Sequence, residues 1–503
     1  MIDTGRTPQF SRRGFLAASV ALGATAITGC QRNTGTTPPT STSPSSGAIA
    51  AAEARRPHSG RTVSTTLTAQ RGPVDLGGRT VDTLSYNGSV PGPLVRASVG
   101  DEVAVTVRNH LDHSTSVHWH GVALRNDMNG ASPATPDIDA GREFTYRFSV
   151  PHPGTYWAHP HTGLDADTGL YFPVIVDDPN DPGRYDAEWV VMLDDWTDGV
   201  GPTPTQIYDG LRGGGGHNGM PGMEGMGDGG MGNSALLGGD AGDVSYPYYA
   251  INGRIPQAPT TFRAKPGDRV RIRLINAGSD TAFRVALAGH RLTITHTDGF
   301  PVTPVDADAV LLGMGERYDV VVTAGDGVFP LVAAAEGKNA TARALLVTGT
   351  GATPAADYTP GELQGRVATV SDLAATKEAV LPPSPAEVNL SADLAGSMMR
   401  YDWTINGMPF AKTRPLQVRE GQHVTLTFNN ATMMWHPMHL HGHTFEVVGA
   451  DGRPGARKDT AIVLPMQKLQ VRFVADNPGV WMMHCHNTYH QEAGMMTSVD
   501  YQA

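Results

Sequence analysis

Short runs of apolar and β-branched residues recur along the chain and are separated by glycine and proline turns. The first clear runs are Val63–Leu67 and Val99–Val107, with turn residues at 87–88 and 91–93 between them. Alternating apolar and polar positions bounded by turn residues predict half-buried strands. Residues from about 60 to 178 are therefore expected to form a Greek-key β-sandwich.

The same pattern returns twice further along the chain. Strands are predicted near Trp189–Leu193, Val270–Ile275 and Tyr318–Val322, and another unit begins near Leu381. A chain of 503 residues exceeds the roughly 250 residues at which single cores stop growing. The predicted order is a first unit (58–180), a second unit (181–350) with a Gly- and Met-rich insertion (211–239), a connector (351–375) and a third unit (376–503).

Composition supports a mostly β protein. The chain has 60 glycines, 37 prolines and only 17% charged residues, which favours short strands and turns over helices. The net charge of −11 provides no basic surface, so nucleic-acid binding is not expected. With two cysteines, Cys30 and Cys485, far apart in sequence and context, a disulfide framework is excluded.

The first residues look like an export signal. Arg12-Arg13 precede a modestly apolar run that ends at Ile27, and Gly29-Cys30 follow. This arrangement (1–30) resembles a twin-arginine signal with a lipoprotein box, and the run is too short to span a bilayer. It implies export by the twin-arginine machinery and a lipid on Cys30 that anchors the protein to the outer face of the cytoplasmic membrane, its only membrane contact. The alternative is a first helix with a buried thiol.

The next segment has a different composition. Residues 31–57 are rich in threonine, serine, proline and then alanine. Such a composition buries too little apolar surface to order itself. We therefore predict a disordered tether between the signal and the first unit.

Histidines form four closely spaced motifs. The last is His484-Cys485-His486, followed by His490 and Met495. Neighbouring side chains of a strand face opposite sides, so the two flanking imidazoles point one way and the thiolate points the other. A thiolate, an imidazole and a thioether, with one more histidine, are the ligands of a blue-copper site. One tripeptide can therefore serve two metal sites. The other motifs are His118-Trp119-His120, His159-Pro160-His161 and His436-Pro437-Met438-His439-Leu440-His441.

These motifs, in this order, resemble those of the multicopper oxidases, the family of laccases, ascorbate oxidases and bacterial cuprous oxidases. The resemblance implies an all-β chain of three consecutive cupredoxin-like Greek-key sandwiches. It also implies four coppers, which pass electrons from one-electron donors through Cys485 to dioxygen. By motif position, His436, Cys485, His490 and Met495 match the type 1 ligands, His118 and His439 the type 2 ligands, and His120, His159, His161, His441, His484 and His486 those of the type 3 pair.

The chain departs from the family where protons are supplied. Many members have an aspartate where this chain has Asn129 and a glutamate where it has Gln491. An amide cannot relay protons as a carboxylic acid does. Asp127 and Glu492 are the nearby carboxylates, and we predict that they substitute if the local backbone directs them inward.

Two features bear on the electron donor. The insertion carries Met220, Met223, Met226 and Met231, and thioethers favour cuprous ions. The insertion is either a copper-collecting loop or a disordered segment with incidental methionines. Asp459 follows the third motif and is predicted either to bind substrate, as acidic groups do in some relatives, or to be a surface turn residue.

The leading hypothesis is an oxidase in the cell envelope that serves copper tolerance, with cuprous ion, ferrous ion or phenols as donors and dioxygen as acceptor. A copper nitrite reductase is disfavoured because it lacks the full set of histidine pairs. A copper-sequestering protein without turnover and a general phenol-oxidising laccase are the remaining alternatives.

Overall fold

The computed structural model describes residues 47–213 and 232–502, which lie within one compact unit of the chain. Among the helices in these ranges, none is long and apolar enough to cross a membrane. The predicted signal, Cys30 and the four insertion methionines lie outside the described residues.

The first unit is the predicted sandwich of two four-stranded sheets, with strand orders β2-β1-β4-β6 and β3-β8-β7-β5. The run predicted from Val99 becomes a strand only at Glu102, because Gly100 takes a left-handed turn (φ +84°). The strands are β1 (Thr62–Asp75), β2 (Thr80–Tyr86), β3 (Val95–Ser98), β4 (Glu102–Asn109), β5 (His118–His120), β6 (Glu143–Ser149), β7 (Gly154–His159) and β8 (Phe172–Asp177).

The middle unit packs two six-stranded sheets, ordered β10-β9-β12-β17-β14-β15 and β11-β19-β18-β13-β16-β20. Its elements are β9 (Ala187–Trp196), α2 (Pro204–Arg212), β10 (Tyr248–Ile251), β11 (Thr260–Arg263), β12 (Arg269–Asn276), β13 (Phe283–Leu287), β14 (Leu292–Thr297), β15 (Phe300–Ala307), β16 (Ala309–Leu312), β17 (Arg317–Thr323), β18 (Val328–Ala335), β19 (Ala340–Val347) and β20 (Val367–Ala368). The last strand, β20, comes from the predicted connector and pairs in parallel with β16, so part of that connector belongs to the middle sandwich.

The third unit has a six-stranded and a five-stranded sheet, ordered β22-β21-β24-β29-β26-β27 and β23-β31-β30-β25-β28. Its elements are β21 (Val388–Ser397), β22 (Asp402–Ile405), β23 (Leu416–Val418), β24 (His423–Asn430), β25 (His436–Leu440), β26 (Phe445–Val448), β27 (Pro454–Lys458), β28 (Thr460–Val463), β29 (Lys468–Val474), β30 (Val480–Cys485), α3 (Thr488–Glu492) and β31 (Met496–Tyr501). The expectation of an all-β chain built from three sandwiches is confirmed.

The predicted tether is wrong in its last part. Residues Gly47–Ala54 form a helix, α1, whose Ile49 is only 2% exposed. Just beyond its C-terminus, Arg56 donates to Asn477 of the third unit (3.0 Å), while Glu53 accepts a hydrogen bond from the Ser149 amide of the first unit (2.9 Å). Helix α1 thus links the two outer sandwiches.

Candidate metal centre

A first group of ligands lies within the third unit. Strand β25 supplies His436, β30 ends at Cys485, and α3 carries His490. The Cys485 sulfur lies 3.6 Å from His436 Nδ1 and 3.7 Å from His490 Nδ1, and the two nitrogens are 3.1 Å apart. The backbone of Met495 is hydrogen-bonded to both Cys485 and His490, and all four residues are fully buried. We call these four residues the mononuclear site.

The outer nitrogens of this site are held in place. His436 Nε2 lies 2.8 Å from the Thr432 hydroxyl, and His490 Nε2 lies 2.9 Å from the carboxylate of Asp243, which comes from the middle unit. Burial lowers the pKa of His490, but the hydrogen bond and charge of Asp243, together with those of Cys485, outweigh burial and raise that pKa to about 10. The middle unit therefore fixes one imidazole of a site that otherwise belongs to the third unit.

A second group consists of eight histidines between the first and third units. Pairing of β5 with β7 sets His118 opposite His159, and pairing of β25 with β30 sets His439 opposite His484. The two ladders bring their histidines together where the sandwiches meet. We call this group the histidine cluster; it contains His118, His120, His159, His161, His439, His441, His484 and His486.

The inward-facing nitrogens are spaced for shared metal ions. His118 Nε2 and His439 Nε2 are 3.4 Å apart, and His484 Nε2 lies 3.3 Å from His161 Nε2 and 3.0 Å from His441 Nε2. Two nitrogens that bind the same ion, each at about 2.0 Å from it, lie about 3 Å from each other. In addition, the buried His159 Nε2 has no hydrogen-bond partner among the described residues. Both observations fit a cluster that holds metal.

Most cluster histidines turn Nδ1 outward to a fixed acceptor. His118 Nδ1 lies 3.0 Å from the Asn129 carbonyl, and His484 Nδ1 lies 2.9 Å from the Cys485 carbonyl. His120 is reversed: its Nδ1 lies 3.2 Å from His486 Nε2, inside the cluster. Outer hydrogen bonds of this kind fix the ring orientation of metal-binding histidines.

Burial keeps these imidazoles neutral. It lowers the pKa of His159 to about 3 and that of His161 to about 4, and it lowers the pKa values of His118, His120 and His441 well below the ordinary range. A metal ion needs the unprotonated nitrogen. The cluster therefore presents ligands ready for metal at neutral pH.

One of the two predicted proton donors, Asp127, is paired with an arginine instead of facing the cluster. Both oxygens of Asp127 accept hydrogen bonds from Arg125 (2.6 and 2.8 Å), because the short 3-10 turn Asn126–Met128 places the two side chains together. Asn129 contacts the cluster instead, through its carbonyl and through its side-chain oxygen, which lies 3.1 Å from His441 Nδ1. Glu492 is exposed at the end of α3, and its role stays a prediction.

Asp459 is not at the surface, so its predicted place in a surface turn is wrong, and its burial also speaks against the alternative, substrate binding. Its side chain is fully buried and forms a two-point ion pair with Arg317 (2.7 and 2.6 Å). Its Oδ1 also lies 3.1 Å from His120 Nε2, at the edge of the histidine cluster. The carboxylate thus lies behind the cluster and out of reach of a donor at the surface.

Sequence reasoning missed Asp243 as a partner of His490 and Arg317 as a partner of Asp459. Two charged residues in the mostly apolar strand β17, Arg317 and Asp319, were a signal that this strand carries buried ion pairs. Asp243 lies in a loop beyond the insertion and gave no signal.

Comparison with known proteins agrees with this geometry. Models of the multicopper oxidase family match residues 68–181, 187–351 and 383–503. The chain belongs to the multicopper oxidase family. Multicopper oxidase MmcO of Mycobacterium tuberculosis is 59% identical, over 98% of this chain and 97% of its own length. This multicopper oxidase is therefore an oxidoreductase, and its family implies copper as the cofactor.

Other relatives are more distant. The copper resistance protein A homolog of Pseudomonas syringae pv. tomato is 28% identical, over 86% of this chain and 91% of its own length. The crystal structure of Botrytis aclada laccase superimposes with a TM-score of 0.70 at 25% identity, covering 87% of each chain. Fet3p, a multicopper oxidase that functions in iron import, gives a TM-score of 0.74 at 20% identity, covering 88% of this chain and 90% of its own, and supports the fold alone.

Proposed function

We propose that this multicopper oxidase couples one-electron oxidation of small reducing donors, cuprous ion first among them, to four-electron reduction of dioxygen to water. The observation that carries the proposal is the position of Cys485. Its sulfur lies in the mononuclear site, while His484 and His486 on either side of it belong to the histidine cluster. A single peptide segment therefore connects the two sites covalently.

The residues fit four coppers, with one in the mononuclear site and three in the histidine cluster. When bound, the coppers would supply one-electron redox steps, four of which are needed for each dioxygen. The chain's own residues bind and orient: in the histidine cluster, neutral imidazoles would hold metal without adding charge, and the Cys485 carbonyl fixes the His484 ring (2.9 Å). Complete burial of both sets of ligands, except the half-buried His161, keeps bulk water away from the sites.

The surroundings of His490 favour a small cationic donor. The imidazole is fully buried, with the Trp403 ring 4.2 Å away and Asp243 on its Nε2, so a bulky phenol has no direct contact with it. The carboxylate of a second buried acid, Asp240, lies 3.4 Å from the backbone nitrogen of Trp435, which is the residue before His436. Carboxylates beside the site would attract cuprous or ferrous ions. The distant likeness to a copper resistance protein agrees with a role in copper tolerance.

Dioxygen uptake by copper-loaded protein tests the function. We expect uptake with cuprous ion, and we expect Asp240→Asn to raise KM for cuprous ion several-fold while KM for a phenol stays unchanged. Asp198→Asn is the matched control, because Asp198 is also a buried acid but bonds to Thr83 in the first unit (2.8 Å). Uptake with a phenol alone would indicate a general laccase. Absence of uptake with either donor, with four coppers bound, would indicate copper sequestration.

We also propose that the protein is exported by the twin-arginine route and anchored through a lipid on Cys30 to the outer face of the cytoplasmic membrane. The proposal is supported by the sequence from Arg12 to Cys30. Cys30→Ser should move the protein from the membrane fraction to the soluble fraction after cell lysis. An unchanged distribution would contradict the lipid anchor.

A further inference from the structure

The middle unit supplies none of the cluster histidines, yet it lies directly against them. The Gly313–Arg317 segment of that unit passes so close that a Cβ on Gly315 would lie 2.9 Å from His120 Cε1 and 2.9 Å from His486 Cδ2. Only glycine leaves room for the two imidazoles at this point. The middle unit therefore forms a wall of the cluster.

Arg317 ends this segment and contacts all three units through one guanidinium. Its Nε donates to the Thr155 carbonyl of the first unit (3.1 Å), and its Nη1 donates to the Gly315 carbonyl of its own unit (3.0 Å). Nη1 and Nη2 donate to the two carboxylate oxygens of Asp459 in the third unit (2.7 and 2.6 Å). The side chain is fully buried, and its guanidinium donates these four hydrogen bonds in a geometry that suits its planar fork.

Asp459, which Arg317 holds in place, in turn contacts two histidines of the cluster. Its Oδ1 lies 3.1 Å from His120 Nε2 and 3.4 Å from His439 Nδ1. Thr460, whose hydroxyl donates to the same oxygen (2.9 Å), lies 3.1 Å from His120 Nε2 and 3.0 Å from His439 Nδ1. This contact at Nε2 is what leaves His120 Nδ1 facing into the cluster.

Other residues around the ion pair of Asp459 and Arg317 hold it in place. The carboxylate of Asp298, in the middle unit, accepts hydrogen bonds from the amides of Asp459 (3.1 Å) and Thr460 (3.2 Å). In the first unit, a Cβ on Gly121 would lie 2.3 Å from Arg317 Nη2 and 2.6 Å from Asp459 Oδ2, so the residue after His120 has to be small. Groups from all three units therefore enclose the ion pair.

We propose that Arg317 is a positioning residue for the metal cluster: by fixing Asp459 across the domain boundary, it sets the ring orientations of His120 and His439. The inference rests on the proposed copper assignment. It gives the middle sandwich a direct part in building a site to which it contributes no ligand.

The test compares copper retention in two Arg317 variants with that of the wild type. Loss of a group that orients metal ligands weakens metal binding by about 10- to 100-fold. We expect Arg317→Met, dialysed against a graded series of chelator concentrations, to lose copper from the cluster at concentrations lower by about that factor. The electron paramagnetic resonance signal of the type 2 copper, for which His118 and His439 are the proposed ligands, should change. The blue absorption of the mononuclear site should stay. Arg317→Lys, which can reach Asp459 but cannot also hold the Thr155 carbonyl, should give intermediate retention.

Two further proteins separate positioning from folding. Arg271→Met is the matched control, because Arg271 is a buried partner of Asp319 in the same unit and Asp319 keeps Arg273 when Arg271 is lost. The double variant Arg317→Met with Asp459→Asn avoids leaving a lone buried carboxylate if the single variant fails to fold.

The outcomes are distinguishable. Wild-type copper retention and an unchanged resonance signal in the foldable Arg317 variants would overturn the inference, and so would equal copper loss in Arg271→Met. Wild-type protein that gains no blue absorption from added copper would instead overturn the proposed function.

Discussion

The mononuclear site and the histidine cluster differ in how many units build them. Cys485, His436, His490 and Met495 all come from the third sandwich, and Asp243 is a supporting contact from its neighbour. The cluster draws four histidines from the first sandwich and four from the third. One site can therefore form when a single sandwich folds, whereas the other forms only on docking, so metal binding there adds to the free energy of domain association.

The largest effect is expected at the residue that joins the two regions. Cys485→Ser should abolish the blue absorption and reduce dioxygen uptake below detection, because the thiolate ligand and the covalent link are lost together. Visible spectroscopy and oxygen-electrode assays on copper-loaded protein measure both. Cys30→Ser, which removes the other cysteine of the chain, should keep the blue absorption. Survival of both signals in the Cys485 variant would refute the two-site scheme.

In the copper-free protein, the histidine cluster and the mononuclear site should contribute to stability with opposite dependence on pH. A histidine whose pKa is lowered in the folded state leaves stability unaffected above its unfolded pKa of about 6.5. Below that pH the unfolded chain takes up a proton that the folded chain does not, so the free energy of unfolding decreases as the pH falls toward the folded pKa. The pKa values near 3 for His159 and 4 for His161, with the lowered values of their neighbours, place this loss in the cluster below about pH 6.5. The raised pKa of His490, about 10, gives the opposite sign: its contribution is present at low pH and is lost as the pH rises through 10.

We therefore expect the free energy of unfolding of copper-free protein to fall by at least about 3 kcal/mol between pH 7 and pH 5. Urea unfolding followed by tryptophan fluorescence measures this change. His110→Asn, at an exposed position, should leave the pH profile unchanged. A flat profile in the parent protein would contradict the neutral, buried cluster.

The smallest effect is expected from Arg56, two residues beyond the end of helix α1. Arg56→Ala removes the hydrogen bond to Asn477 and should lower the free energy of unfolding by about 1 kcal/mol. Because the contact joins α1 to an outer sandwich, cluster copper should be lost more readily while the blue absorption stays. Arg55→Ala is the control, since its ion pair with Glu420 is exposed and should contribute little. Equal effects of the two variants would argue against a docking role for α1.

Local patterns were sufficient for the strands and for the positions of the histidines. Alternation is a property of neighbouring residues, so His118 and His120 could be placed on one face of a strand before any tertiary contact was known. The turn at Gly100 shifted a strand boundary without changing the face that its residues occupy.

Contacts distant in sequence could not be predicted. Asp459 looks like a turn residue because Arg317, the partner that buries it, lies 142 positions away. Helix α1 was missed because its contacts, such as that of Glu53 with the Ser149 amide, are distant in sequence, and its buried Ile49 packs in the folded chain. Asp127 and Asn129 are two positions apart, and only the folded turn decides which of them reaches the cluster.

The reversed ring of His120 has a spectroscopic consequence. His436 and His490 present Nδ1 to the sulfur, whereas in the cluster His120 presents Nδ1 inward and its neighbours with outward Nδ1 hydrogen bonds present Nε2. If all histidines carried isotopic nitrogen at only one ring position, the labelled nitrogen would therefore face the metal in one region and mostly face away from it in the other. With the heavy isotope at Nδ1, magnetic coupling to copper would report on the sulfur-bound centre and, among the eight shared rings, would single out His120.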